Sequence, residues 1–186
     1  MRIIGGLYKG RKLEMVKSKV LRPTMGRMRE LLFNVCQQEI EGAFFLDLFA
    51  GVGAMGLEAL SRGASEVVFV ERDRRHVAAI EASVAGLGVG KECQVLQQDV
   101  FTACRDLEKR GAQFDIIFAD PPYGDKEHSL TNQLLTQLDQ SNLLKRGGHL
   151  FLEDHKHASD YHEPLTHLQE QKRRQAGKTT LRQFIY

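Results

Sequence analysis

The residues best equipped for chemistry stand together at Asp120-Pro121-Pro122-Tyr123. They follow a short apolar run, Phe114 to Ala119, of the β-branched and aromatic kind that reads as a strand buried on both faces. Two consecutive prolines fix φ twice, remove two N–H donors and hold what precedes them extended, so the chain turns a rigid corner there. The carboxyl end of a parallel strand is where open α/β sheets place their ligands. The corner offers the Asp120 carboxylate, the Pro121 carbonyl and the Tyr123 ring. Such a set suits a planar substrate bearing an NH2 group. Hydrogen bonds from that amine to Asp120 and to the Pro121 carbonyl turn its lone pair out of the ring plane, while Tyr123 stacks on the ring. An isolated Pro-Pro pair also serves as an ordinary turn with a capping aspartate, so the remainder of the chain decides between the two readings.

Phe44 to Gly56 is the second stretch with chemical content: an apolar strand, a glycine turn at Gly51-Val52-Gly53, and a helix that runs to Gly63. Glycines let the backbone approach a ligand, and free N–H groups at a helix start bind polar or anionic groups. The spacing Gly51-x-Gly53-x-x-Gly56 matches the dinucleotide fingerprint, which is weak alone. Asp47, four residues before Gly51, repels a pyrophosphate and suits a cationic ammonium or sulfonium ligand. A strand from Glu66 ends at Glu71, where a carboxylate can accept from both hydroxyls of a ribose. A further strand, Cys93 to Gln97, leads to Asp99, placed to accept from an adenine amino group while Val100 donates through its N–H. Each acid singly reads as well as a helix N-cap. Together, Asp47, Glu71, Asp99 and Asp120 mark the carboxyl ends of four successive strands, which chance seldom arranges.

The elements that hold these groups follow from periodicity. Arg2 to Gly6 and Gly10 to Leu13 form a glycine-punctuated hairpin too small to fold alone. Thr24 N-caps a helix from about Met25 to Glu39, with Met28, Leu31, Leu32 and Val35 on one face. Arg27 and Arg29 stand near its start, where the helix dipole disfavours a cation, which raises the prospect of a ligand for them as readily as plain solvation. A helix from Arg74 to Ala85 buries Val77, Ile80 and Val84, and no element is assigned between Phe101 and Phe114. A helix marked by Leu130, Leu134, Leu135 and Leu138 precedes a turn at Leu143 to Gly148 and a strand at His149 to Glu153. Leu165 to Arg174 and Thr179 to Tyr186 close the chain as an antiparallel hairpin.

With 186 residues and 42% apolar content, one domain is expected, and the absence of a long apolar run argues against a membrane span or signal peptide. Cys36, Cys93 and Cys104 lack metal or redox spacing and read as reduced, mostly buried thiols; the histidines form no metal set. The net charge of +2 hides an asymmetry. Residues 1–29 carry nine Lys/Arg against Glu14 alone, residues 172–186 carry five and no acid, and the middle carries a net −11. Two basic ends around an acidic body fit a polyanion touched by both, because Lys and Arg gain most from phosphates.

Asp47-Leu-Phe-Ala-Gly51-x-Gly53, Glu71, Asp99 and Asp120-Pro-Pro-Tyr123 resemble, in order, the motifs of class I S-adenosylmethionine-dependent methyltransferases acting on exocyclic amines. Arg2-Ile-Ile-Gly-Gly, Lys9-Gly-Arg-Lys-Leu13, Arg22-Pro-Thr24 and Arg27-x-Arg29-Glu30 narrow the resemblance to the RsmD family of 16S ribosomal RNA guanine-N2 methyltransferases, although Met25 and Gly26 replace a polar or acidic pair. The resemblance implies a Rossmann-like α/β fold: a seven-stranded, mostly parallel sheet with helices on both faces and a small N-terminal β-hairpin extension. It divides the chain into a basic extension over residues 1–40, facing RNA and cofactor, and a methyltransferase domain over 41–186. S-adenosylmethionine is the implied cofactor, held by Thr24, Asp47, Gly51, Gly53, Glu71, Asp99 and Val100. The target amine falls to Asp120, Pro121, Pro122 and Tyr123. Lys9, Arg11, Lys12, Arg22, Arg27 and Arg29 are the implied RNA contacts. The implied partner is 16S ribosomal RNA in a partly or fully assembled 30S subunit, for a cytoplasmic, metal-free, monomeric enzyme. A DNA adenine-N6 methyltransferase shares the Asp-Pro-Pro-Tyr corner, and a non-enzymatic RNA-binding module shares the basic ends.

Overall fold

The computed structural model describes residues 1–16, 24–122, 127–155, 164–177 and 179–186. The continuous apolar runs become parallel strands because only burial on both faces accommodates them. β1 (Phe44–Leu48), β2 (Glu66–Glu71) and β4 (Phe114–Ala119) are such runs; β3 (Cys93–Gln97) is a partly exposed edge strand, and β5 (Leu144–His155), β6 (Gln169–Ala176) and β7 (Thr179–Ile185) complete the sheet. The order is β3-β2-β1-β4-β5-β7-β6, parallel from β3 through β5, with β7 antiparallel to both β5 and β6. The winding therefore reverses between β1 and β4, whose tips carry Asp47 and Asp120. That reversal is the topological switch point, where a crevice opens outside the strand ends.

Side-chain alternation splits the core into two. Phe45, Phe69, Ile116, Phe118 and Phe151 pack with Met28, Leu32, Leu57 and Ile80 on one face, that of α1 (Thr24–Val35), α2 (Ala54–Ser61) and α3 (Arg74–Leu87). Leu46, Leu48, Val70, Ile117 and Leu150 pack on the other face with Ala103 and Leu107 of α4 (Val100–Lys109) and Leu134, Leu135 and Leu138 of α5 (Glu127–Asp139). Among the described residues, no helix is long and apolar enough to cross a membrane.

β1 to β4 stand where the sequence places them; the differences lie elsewhere. Helix α1 stops at Val35, with Cys36 to Glu39 in a turn. β5 begins at Leu144 because the segment read as a turn pairs with Phe114 before a register shift, and β6 begins at Gln169 rather than Leu165. Helix α4 fills the unassigned stretch; Val100, Ala103, Cys104 and Leu107 are its buried face, behind the cap at Asp99. The hairpin at residues 1–13 is a single antiparallel bridge, Arg2 with Lys12. Ile3 and Leu13 belong to the same core as α1 and Phe45. Cys36 and Cys104 are buried, Cys93 is half-buried, and burial pushes all three thiols up to about 12.

At Gly56 α2 lies directly against the sheet. A Cβ there would collide with the Phe69 ring and stand 2.7 Å from Val67 Cγ1. Gly56→Ala is expected to cost on the order of 1–3 kcal/mol through overpacking. In a domain of this size that lowers the calorimetric Tm by several degrees; an unchanged Tm would refute the close approach.

Candidate active site

Asp47 and Asp120 line a cavity of about 90 Å³ at the switch point, together with Arg29, Phe49, Gly51, Ala54, Met55, Phe118 and Glu153. The fold thus brings the first and last of the four strand-tip acids to one place, and β1 and β4 hold them side by side: Asp47 is in register with Phe118, and Asp120 N donates to the Leu48 carbonyl at 3.4 Å. Pro121 is buried and Pro122 exposed. Tyr123 lies outside the described residues.

Asp47 is almost wholly buried, and Gly56 N donates to its Oδ2 at 2.9 Å. Burial pushes its carboxyl up to about 7, with one N–H bond opposing the shift and the neighbouring Glu71 adding to it. The turn between Asp47 and Gly56 is held in left-handed backbone: Gly51 at φ 56°, Gly53 at φ 75°, and Phe49 at φ 58°. For an aromatic residue that conformation is strained, and such strain gathers at functional sites. Gly53 precedes α2 without a side-chain cap.

Glu71 receives Gly51 N and Asp73 N, each at 2.8 Å, and so ties the glycine turn to the β2 tip. Asp99 is exposed and caps α4, its Oδ1 accepting from Phe101 N at 3.0 Å and Thr102 N at 3.3 Å; Val100 is the first residue of that helix. Thr24 opens α1, and its side chain lies outside the described part of the structure.

The six basic residues separate. Lys9, Lys12 and Arg27 are exposed, whereas Arg11 reaches across to the Gly86 carbonyl at 2.7 Å, in the last turn of α3. Arg22 lies outside the described residues. Arg29 is only 4% exposed, so it faces the cavity and not the surface. Its Nε lies 3.5 Å from Glu58 Oε2, and its Nη2 donates to the Arg2 carbonyl at 2.9 Å. Two residues here escaped the sequence reading. Fully buried Glu58 accepts from Ile4 N and Gly5 N at 2.8 Å and from Arg62 Nε at 2.9 Å, and Glu153 lines the cavity from β5. Glu58 could have been noticed as a lone acid on an otherwise apolar helix. Among the described residues no group of three or more His, Cys, Asp or Glu could hold a metal ion.

A carboxylate raised by burial weakens the fold as pH climbs from its unfolded value toward its folded one. The folded state of this protein carries the proton that the unfolded state has already released. Asp47→Asn keeps an acceptor for Gly56 N without the charge. It is expected to raise Tm by several degrees at pH 8 and by less at pH 5, where Asp47 is protonated in the folded protein. Equal changes at both values, in a calorimetric melt, would show that Asp47 is not held neutral.

Comparison with known proteins places this geometry in a family. The family model described as conserved hypothetical protein 95 matches residues 1–185. A ribosomal RNA small subunit methyltransferase D from Haemophilus influenzae is 35% identical over 157 residues, which is 84% of this chain and 79% of that one. The solved structure of yhhF from Escherichia coli is 30% identical, covers 99% of this chain and 96% of its own, and superposes with a TM-score of 0.83. TrmN from Thermus thermophilus, 22% identical, shares the fold over 85% of this chain and 48% of its own with a TM-score of 0.68. The family match thus runs from the N-terminal hairpin to the last strand, and the chain belongs to the RsmD family, that of the ribosomal RNA small subunit methyltransferases D.

Proposed function

We propose that the protein transfers a methyl group from S-adenosylmethionine to the exocyclic N2 of a guanine in 16S ribosomal RNA. The observation that carries the reading is the meeting of Asp120 with Asp47 and the glycine turn in one cavity at the switch point. The residues fit the cofactor: a buried carboxylate answered by one N–H bond in the turn calls for a cation, and a sulfonium compound with an ammonium group provides one. Asp47, Gly51 and Gly53 would hold its amino-acid end, Glu71 the ribose, and Asp99 with the Val100 N–H the adenine. When bound, it supplies an electrophilic methyl group.

The chain's own contribution is position and charge. Asp120 and the Pro121 carbonyl accept the two N–H bonds of the target amine, which aims its lone pair at the methyl. The Asp120 carboxylate then stabilises the positive charge that develops on nitrogen, and the proton leaves for solvent after transfer. Holding the amine in line is worth about 7–11 kcal/mol in well-oriented reactions. Tyr123 stacks on the base. A paired guanine hides its edge, so the base is taken unpaired or flipped out. Lys9, Lys12, Arg22 and Arg27 neutralise the surrounding phosphates. The proposed substrate is the RNA within a partly or fully assembled 30S subunit, met by a monomer in the cytoplasm.

Asp120→Ala is expected to lower methyl transfer from labelled S-adenosylmethionine to 30S subunits by about 100- to 1000-fold, with cofactor affinity little changed. Label found in N2-methylguanosine of ribosomal RNA supports the reading. Label in adenine of duplex DNA would replace it, and RNA binding without transfer would leave a binding module.

A further inference from the structure

Among the described residues, the buried Nη1 of Arg29 has no hydrogen-bond partner. Buried guanidinium N–H groups without acceptors are costly and rare in native proteins. Of the other two nitrogens, Nη2 donates to the Arg2 carbonyl, while Nε makes no hydrogen bond and stands 3.5 Å from Glu58 Oε2 as an ion pair. Nη1 is thus the nitrogen with neither a hydrogen bond nor the Glu58 contact, on a side chain that lines the cavity. We infer that Arg29 binds the carboxylate at the amino-acid end of the methyl donor, an assignment that rests on the donor proposed above.

Three observations select a carboxylate over an RNA group. The other ionisable residues lining this cavity are Asp47, Asp120 and Glu153, so its one guanidinium faces a ring of acids. An α-amino acid matches both signs, its ammonium to the acids and its carboxylate to the fork of the arginine. A guanine edge brings no charge to Arg29. The space, about 90 Å³, takes the small polar end of a ligand, whereas pockets for whole drug-sized ligands run to roughly 300–1000 Å³. Finally, Ala54 and Met55, the first residues of α2, line the same cavity, and that helix starts without a side-chain cap, so its dipole adds to the attraction for an anion.

Arg29 is thereby moved from the RNA-contacting set to the cofactor site. The same side chain, through the Arg2 carbonyl and Glu58, also touches the hairpin that carries Lys9 and Lys12. Its assignment needs a test that separates charge recognition from packing.

The pair of probes is S-adenosylmethionine and its decarboxylated form, which differ by the carboxylate alone, each titrated calorimetrically into the full chain. The wild type is expected to prefer the carboxylated compound by on the order of 10- to 100-fold, the range of a charge-assisted hydrogen-bonded pair. Arg29→Met is expected to erase that preference, weakening S-adenosylmethionine while leaving the decarboxylated form within about threefold. Because Arg29→Met strands the Glu58 carboxylate, Arg29→Met with Glu58→Gln is measured beside it, and Glu58→Gln alone is expected to keep the preference. Equal weakening of both probes would make Arg29 a packing residue. An unchanged preference with a raised KM for RNA would return it to the RNA contacts. Failure of the wild type to bind either probe would remove the proposed donor, and this assignment with it.

Discussion

The structure turns on one buried hydrogen bond, from Gly56 N to Asp47. A carboxylate buried near the end of a central strand is costly, and the first turn of α2 supplies the N–H that makes it tolerable. That donor reaches Asp47 only if the helix sits almost on the sheet, which is why position 56 has no room for a Cβ against Phe69 and Val67. The turn from β1 into α2 must then reverse within a few residues, and Gly51, Gly53 and even Phe49 accept left-handed backbone to do so. The crevice beside Asp120 is a consequence of this geometry.

A second buried carboxylate does for the N-terminal residues what Asp47 does for the turn. Glu58 gathers two backbone N–H groups of the hairpin and faces the side chains of Arg29 and Arg62. With Ser61 receiving Tyr8 N and Ile3 and Leu13 in the core, the hairpin is pinned along α2. Removing one partner from such a set leaves an uncompensated charge, so its members stand or fall together. The hairpin tip lies at the C-terminal end of α2, roughly 12 Å along an eight-residue helix from the glycine turn.

The central parallel strands were legible because burial on both faces leaves an apolar run bounded by glycine, proline or acid, and β1, β2 and β4 follow such runs. The four strand-tip acids were legible as a set for the same reason: each interrupts or ends a run. Helix α4 was not, since its buried face is only Val100, Ala103, Cys104 and Leu107 among charged neighbours. The end of α1 was misplaced because Cys36 and Ile40 continue an apolar spacing that the backbone abandons after Val35. Nothing local distinguishes Arg29 from Arg27. Two helical steps turn Arg29 toward Glu58 and the cavity, while Arg27 stays in solvent, and only the fold supplies that difference.

The strand-tip acids also show how a single residue type serves loop and ligand together. An ionised carboxylate offers about four acceptor positions. Glu71 uses two on Gly51 N and Asp73 N, and Asp99 places both cap bonds on Oδ1. Each retains acceptor capacity after its structural bonds are made, so a ribose or an amino group need not displace them. The loops that would meet the cofactor are therefore set by hydrogen bonds internal to the chain. A preset loop loses little freedom when it binds, and that saving appears directly as affinity. For Asp99, the N-cap of α4, capping and the proposed ligand contact are thus compatible uses of one group, whereas α3 is capped by Asp73 and leaves Glu71 to tie the glycine turn.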